Sequence, residues 1–302
     1  MHIGLVGLGK MGGSMRTRLR AAGIEVTGYA PDPTTTDVDS LQALVAALPT
    51  PRTVWVMVPS GDITRGTVQS LGELLEPGDL VIEGGNSRFS DDRLHAQALS
   101  ATGIRYLDAG VSGGIWGVTE GYGLMVGGSA EDVERAMPVF DALRPDGPRK
   151  EGFSHAGPVG AGHYAKMVHN GIEYAIMQAF AEGYELLSAT DAVDDVPAVF
   201  QGWRRGTVVR SWLLDLMVAA LEDDPELTKV SGYAEDSGEG RWTVMEGIAN
   251  AVPTPTIAAS LYARFVSRQQ DSPAMKAIAA LRNQFGGHAV RTAGTHEPTG
   301  PA

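Results

Sequence analysis

The stretch that most constrains this chain is Gly160 to Leu187, GAGHYAKMVHNGIEYAIMQAFAEGYELL. Gly and Pro residues precede it and apolar residues recur along it at helical spacing, so it reads as one long helix. From Tyr164 to Ala181 its only formal charges are Lys166 and Glu173. Positions 166, 170 and 173 stand at i, i+4 and i+7, which puts Lys166, Asn170 and Glu173 on one face, flanked by His169 and Tyr174. The other positions, among them Ala165, Val168, Ile172, Ala175, Ile176, Met177, Ala179 and Phe180, are apolar almost all round. A helix of that kind is expected to be buried. Two charges on it cost free energy unless they pair or face a cleft. The strip is either a structural ion pair, a solvated stripe, or the lining of an active site, where Lys and Glu suit proton transfer near neutral pH.

The start of the chain has a different rhythm. Residues 2–7 (HIGLVG) read as a buried strand, followed by Gly7, Gly9 and Gly12 in GLGKMG. Ser14 to Ala22 is helical, Gly23 is a C-cap, and Ile24 to Tyr29 is a second strand. A G-x-G-x-x-G turn between strand and helix permits close approach of a pyrophosphate to a helix N-terminus. The end of the second strand is where such folds place an acidic residue for an adenosine ribose. Here it reads Gly28-Tyr29-Ala30-Pro31-Asp32, with no Arg nearby to hold a 2′-phosphate.

The alternation continues. Strands are expected over Val54 to Val58, closed by Pro59, and over Leu80 to Glu83, Ile104 to Asp108 and Gly123 to Val126. Helices are expected over Gly66 to Leu75, Asp91 to Ser100 and Ala130 to Leu143. In an open parallel sheet, ligands sit beyond the carboxyl ends of the strands. Gly84-Gly85-Asn86-Ser87 and Ser112-Gly113-Gly114 lie there, and suit a ligand rich in hydroxyls and carboxylate. After the Gly/Pro-rich join at His155 to Gly162 the chain reads as helices to Val290. These cover Val208 to Leu221, Ile257 to Gln269 with Arg264, and Ala274 to Gln284, with Asp236 to Trp242 (DSGEGRW) as a polar turn.

The expected fold is an α/β Rossmann-type N-terminal domain over 1–158, followed by an all-α C-terminal domain over 159–290 for substrate and dimerisation, and a flexible tail over 291–302. A chain of 302 residues has room for both domains. A net charge of −12 argues against nucleic acid or an anionic membrane as partner, and any anionic substrate needs a local Arg or Lys cluster. There is no cysteine, which excludes thiol nucleophiles, disulfides and Cys-ligated metals. No basic start with an apolar run of signal-peptide length and no run of transmembrane length is present, so a cytoplasmic protein is expected.

Together GLGKMGGSM, MVPSGDIT, EGGNSRFSDD, AGVSGGIWGVTEGYGLMVGG, GPVGAGHYAKMVHNGIEYAIMQAFAEG, RSWLLDL, DSGEGRWT and LRNQFGGHAV resemble the decarboxylating 6-phosphogluconate dehydrogenases, in their short form. The resemblance runs from the first residue to about Val290. It implies oxidation and decarboxylation of 6-phosphogluconate to ribulose 5-phosphate. Lys166 would accept the 3-hydroxyl proton and then act as acid towards the ketone, Glu173 would protonate carbon 1 of the enediol, and Asn170 would assist. Asn86, Ser112, Gly113, Gly114, His169 and Asn170 would hold the carboxylate and hydroxyls, and Tyr174 and Arg264 the phosphate. Arg282 and His288 match a C-terminal pair that reaches the neighbouring subunit's site, implying a homodimer or higher homo-oligomer. Gly7, Gly9, Lys10, Met11, Gly12, Asp32, Val58, Pro59 and Asn86 would line the cofactor. No metal is expected.

Three departures from the family pattern bear on this. A loop Lys of the longer members has no counterpart in the shortened Asp236 to Trp242 segment, where Arg241 is the available cation. Ser14 stands where the family has Asn. Ala30 and Pro31 stand where short forms have Asp and Arg. With Asp32 close by, NAD is favoured over NADP, and a deazaflavin coenzyme of the factor-420 type is the alternative acceptor. A related 3-hydroxy acid dehydrogenase and a non-catalytic sugar-phosphate sensor are the competing functions.

Overall fold

The apolar strands of the first half alternate between two faces, and both faces are covered. The computed structural model describes residues 1–291, so the expected tail beyond Arg291 lies outside the described residues. Strands β1 (His2–Val6), β2 (Glu25–Tyr29), β3 (Thr53–Val56), β4 (Leu80–Glu83), β5 (Arg105–Ser112), β6 (Gly123–Gly127) and β7 (Phe153–Gly157) form one sheet in the order β2-β1-β3-β4-β5-β6-β7. Strands β1 to β5 are parallel, β6 runs antiparallel to β5, and β7 is parallel to β6. Helices α1 (Lys10–Ala21), α2 (Leu41–Ala47), α3 (Asp62–Leu74), α4 (Phe89–Ser100), α5 (Gly117–Glu120) and α6 (Ala130–Leu143) lie between them in sequence. Ile3, Leu5, Trp55, Ile82 and Leu107 pack with Met15 and Leu19 of α1 and Phe140 of α6. Val6, Val54, Val56 and Val81 pack with Leu44 of α2, Val68 and Leu71 of α3 and Leu99 of α4. Burial on both faces is why these strands read as continuous apolar runs.

Helices α7 (Ala161–Ser188), α8 (Val196–Trp203), α9 (Trp212–Asp223), α10 (Glu239–Ala249), α11 (Pro255–Ser267) and α12 (Pro273–Gly286) make up the rest. The chain forms two compact units. The first is Met1–Tyr174 with Gly238–Ile257, and the second is Ala175–Ser237 with the residues from Ala258 onward. The division falls within α7. The second unit has its own core of Phe200, Leu214, Val218 and Leu221, against which Phe180, Tyr184 and Leu187 of α7 pack.

Several expectations need correction. Helices α2 and α8 were not foreseen, being short segments of seven and eight residues. The join at His155 begins as β7, an edge strand. The polar turn ends at Gly238, because α10 starts at Glu239. The long helix is not buried all round. Ile172 is 50% exposed and Leu186 73%; in the second unit only Phe180, Tyr184 and Leu187 of the helix pack on the small core.

Candidate active site

The parallel strands bring four loops to one edge of the sheet: 7–12 after β1, 57–59 after β3, 84–87 after β4 and 113–114 after β5. The first loop is tight. Gly7 has φ +95°, and a Cβ there would stand 2.2 Å from the Met57 carbonyl oxygen. A Cβ on Gly12 would stand 1.9 Å from the Gly7 carbonyl oxygen. Gly9 is the N-cap of α1, has open space at its Cβ position, and no side chain caps the helix or places a negative charge in its first turn. That leaves backbone N–H groups and the positive end of a helix dipole, with Lys10 and Met11 in the first turn, which fits a dinucleotide pyrophosphate. Val58 and Pro59 follow β3 on the same edge.

Beyond β2, Asp32 is exposed, and its Oδ1 accepts from the Thr34 N–H at 2.9 Å and the Thr34 hydroxyl at 2.7 Å. These bonds hold its carboxyl below the usual range. The expectation that no Arg is nearby is corrected by the fold. Arg16 and Arg20 of α1 reach this loop, where Asp37 holds them at 3.3 and 2.6 Å, and Arg16 also donates to the Thr35 carbonyl. Helical spacing puts them there, which a search confined to the residues after the strand misses.

The start of α7 is seated on β5. Asp108 of β5 caps it from a distance: its Oδ1 accepts the Gly160 N–H at 2.6 Å and its Oδ2 the His163 N–H at 2.8 Å. A Cβ on Gly110 would stand 2.4 Å from the Lys166 Cβ, so the helix lies directly on the strand at Lys166. Lys166 is buried, and its Nζ donates to Asn86 Oδ1 and to Glu239 Oε1. One turn on, Asn170 Nδ2 donates to Glu239 Oε2. The ion pair of the strip is therefore with Glu239 at the start of α10, and Glu173 instead stands 3.9 Å from His169, half exposed. His169 Nδ1 lies 3.0 Å from Asn170 Oδ1. Tyr174 is buried, with its ring against Gly240 of α10.

Beneath Lys166 lies a fully buried charge cluster. His163 Nδ1 is 2.8 Å from Asp92 Oδ2 and 3.8 Å from Glu83 Oε2. Asp92 Oδ1 also accepts the Tyr106 hydroxyl at 2.9 Å. Glu83 Oε1 accepts the Gly85 N–H at 2.7 Å, so the cluster holds the very turn that carries Asn86. Burial and Asp92 push the Glu83 carboxyl up to about 7, against the opposing effect of His163. Burial disfavours the charged His163 ring, but Asp92, Glu83 and Asp108 outweigh it and push its pKa up to about 10. These three side chains have the burial and mutual reach of a metal-ligand set. The His163–Asp92 bond and the Glu83–Gly85 bond account for their arrangement as a structural cluster.

Ser112 closes β5 at the same sheet edge, followed by Gly113 at φ +132° and Gly114 at φ +54°. In the second unit Arg264 donates to the Glu235 carbonyl at 3.1 Å and lies 3.8 Å from Met177 Sδ. Arg282 sits on α12 and is exposed, and His288 follows that helix with its carbonyl accepting from Asn283. Sequence reasoning missed Glu239, Asp108, Asp92, Glu83 and His163. The first lay inside a segment read as a turn, and the others carried no local signal beyond being charges in apolar surroundings.

A parallel sheet with an open glycine-rich phosphate turn, next to a buried lysine on an adjoining helix, defines a dinucleotide-dependent oxidoreductase. Residues 2–145 match the NAD binding domain of 6-phosphogluconate dehydrogenase, and residues 162–295 match the 6-phosphogluconate dehydrogenase C-terminal domain. The chain belongs to the 6-phosphogluconate dehydrogenase family. A Haloferax volcanii protein named as an NAD(+)-dependent, decarboxylating 6-phosphogluconate dehydrogenase is 40% identical over 300 residues, covering 96% of this chain and 98% of that protein. A Bacillus subtilis protein named as the NADP(+)-dependent, decarboxylating enzyme is 32% identical over 291 residues, covering 89% of this chain and 62% of that one. Among solved structures, Plasmodium falciparum 6-phosphogluconate dehydrogenase superposes with a TM-score of 0.82 at 24% identity, covering 98% of this chain and 67% of that chain, and so shares the fold.

Proposed function

We propose that the protein oxidatively decarboxylates 6-phosphogluconate to ribulose 5-phosphate and CO₂, passing hydride to a nicotinamide dinucleotide, NAD in preference to NADP. The observation that carries this is Lys166, buried on α7 and bonded to Asn86 on the sheet edge that also carries the phosphate-binding turn. A bound dinucleotide would supply the acceptor for the hydride at carbon 3. Gly7, Gly9, Lys10, Met11, Gly12, Val58, Pro59 and Asn86 hold it, with Asp32 towards its ribose. Lys166 as amine accepts the 3-hydroxyl proton, and as ammonium it polarises the resulting ketone, the task a metal performs elsewhere. The bond to the carboxyl carbon then breaks, its electron pair forming the enediol, and Glu173 protonates carbon 1. Asn86, Ser112, Gly113, Gly114, His169 and Asn170 hold the carboxylate and hydroxyls, and Tyr174 and Arg264 the phosphate.

Preference for NAD rests on the loop after β2. Asp32 opposes a 2′-phosphate, and the cations that reach the loop are taken by Asp37. The test is one assay of 6-phosphogluconate with NAD, NADP and a deazaflavin coenzyme in separate reactions. We expect kcat/KM with NAD to exceed that with NADP by about tenfold or more. Reduction of the deazaflavin alone would reassign the acceptor. Reduction of none would point to a related 3-hydroxy acid, or to a non-catalytic sensor if ligand still binds.

The protein acts as a homodimer in this reading. Met275, Ile278, Leu281 and Phe285 of α12 are exposed and recur at helical spacing, a face that calls for a partner, and Arg282 and His288 belong to the same segment. Arg282→Ala and Lys166→Met chains, each inactive alone, are expected to regain about a quarter of wild-type turnover when refolded together, because one site per heterodimer is then intact. No regain would place Arg282 outside the neighbour's site.

A further inference from the structure

We infer that Glu239 is the proton partner of Lys166: it takes the ammonium proton as substrate binds, so that Lys166 meets the substrate hydroxyl as a free amine. This inference rests on the function proposed above. Lys166 must be neutral to accept a proton, and its Nζ is buried and donates a hydrogen bond to a carboxylate. Its proton therefore needs an acceptor within reach, and Glu239 Oε1 is already hydrogen-bonded to it.

The aim of that carboxylate is over-determined. Asn170 holds Oε2, which leaves Oε1 turned to Nζ. The helix start that carries Glu239 is packed closely against α7. Gly238 has φ +94°, and a Cβ on Gly240 would stand 2.6 Å from the Tyr174 ring. A Cβ on Gly171 would stand 2.7 Å from Thr243, and the Thr243 hydroxyl is 2.8 Å from the Met167 carbonyl oxygen. Glu239 is 3% exposed and Lys166 9%, so direct exchange with bulk water is restricted. Among the groups facing Glu239 are Lys166 and Asn170 of α7, and Arg241 is the neighbouring charge on α10.

The step is an internal transfer. An Nζ–H bond breaks and an Oε1–H bond forms, converting an ammonium–carboxylate pair into an amine and a carboxylic acid with no change in net charge. Expulsion of water by the substrate favours that direction, because two buried charges disappear. Lys166 then takes the 3-hydroxyl proton, gives it to the ketone oxygen, and recovers one from the enediol as Glu173 protonates carbon 1. Once product leaves and water re-enters the site, the proton on Oε1 passes through it to Glu173, which closes the cycle. Glu239 acts through Lys166 and is a positioning residue in this sense.

The experiment compares kcat and KM for 6-phosphogluconate across pH in wild type, E239Q and E239D. In E239Q the amide still fills the space but cannot take the proton. We expect kcat near pH 7 to fall about 10²-fold, KM to change by less than about threefold, and kcat to climb with rising pH where the wild type is flat. E239D keeps the flat profile at a lower plateau. An E239Q profile that superimposes on wild type, or a raised KM with kcat unchanged, overturns the inference. If E239Q lacks a cooperative unfolding transition, E239S with added formate decides: formate-dependent turnover supports the proton role, and turnover indifferent to formate overturns it. Wild-type turnover separates the two levels. Its absence overturns the proposed function and this inference with it, whereas wild-type turnover with an unchanged E239Q overturns this inference alone.

Discussion

Lys166→Met is expected to lower kcat by about 10²- to 10⁴-fold, because the residue serves as base in the oxidation and as acid in the decarboxylation. The variant stays folded but less stable. Methionine fills the volume over Gly110, yet it takes the cation away from a carboxylate that is 3% exposed. Breaking one half of a buried pair costs about 3–5 kcal/mol, whereas replacing both halves by neutral groups costs much less. Lys166→Met with Glu239→Gln should therefore regain most of the lost stability and none of the turnover. Urea unfolding and steady-state kinetics on the three variants check both halves. Near-normal turnover of Lys166→Met would remove the catalytic assignment. Equal stability of the single and double variants would show that the pair contributes little to the fold.

His163→Leu is expected to destabilise the first unit by about 3–5 kcal/mol at pH 8, because it leaves Asp92 and Glu83 buried without their cation. The pH dependence has a definite sign. His163 has its pKa raised from 6.5 to about 10, so its contribution is fully present below about pH 6.5 and is lost as pH rises through about 10. Glu83 is raised from 4.5 to about 7, so the penalty for its buried charge grows as pH rises from 4.5 and is complete above about 7. Both effects make wild-type stability fall from the acid side towards alkaline pH. The variant lacks the alkaline component, so its deficit is largest at pH 5, where the His163 contribution is whole, and narrows as pH rises towards 10. Urea unfolding at pH 5, 7 and 9 measures this. An alkaline decline of equal size in wild type and variant would mean that His163 is not the cation of the cluster.

Whatever depends on local periodicity was legible in the chain. Strand β4 and helix α6 occupy the residues expected from their patterns, and α7 begins and ends one residue later than the expected Gly160 to Leu187. The glycine turn after β1 was legible because its two constraints, φ +95° at Gly7 and the missing Cβ at Gly12, act within a few residues. Lys166 and Asn170 were legible as neighbours because a helix fixes that relation by itself. The length of α7 misled in one respect, since an apolar pattern shows that a face needs cover without showing that its own chain supplies it.

Charge partnership was not legible. Glu173 was the carboxylate in sequence proximity to Lys166, but the one bonded to it is Glu239, 73 residues away. The cap of α7 comes from Asp108, 52 and 55 residues before the groups it caps, and the partner of His163 is Asp92, 71 residues before it. A residue's type and helical phase establish what it can donate or accept and towards which side of its own element it points. They leave open which other element will stand there. That is decided when glycines such as Gly110, Gly171 and Gly240 let strands and helices approach at short range, because only then does one particular carboxylate reach one particular lysine. The chain alone thus determines the class of chemistry, through a lysine strip and a phosphate turn, and packing selects the acid that sets the lysine's proton.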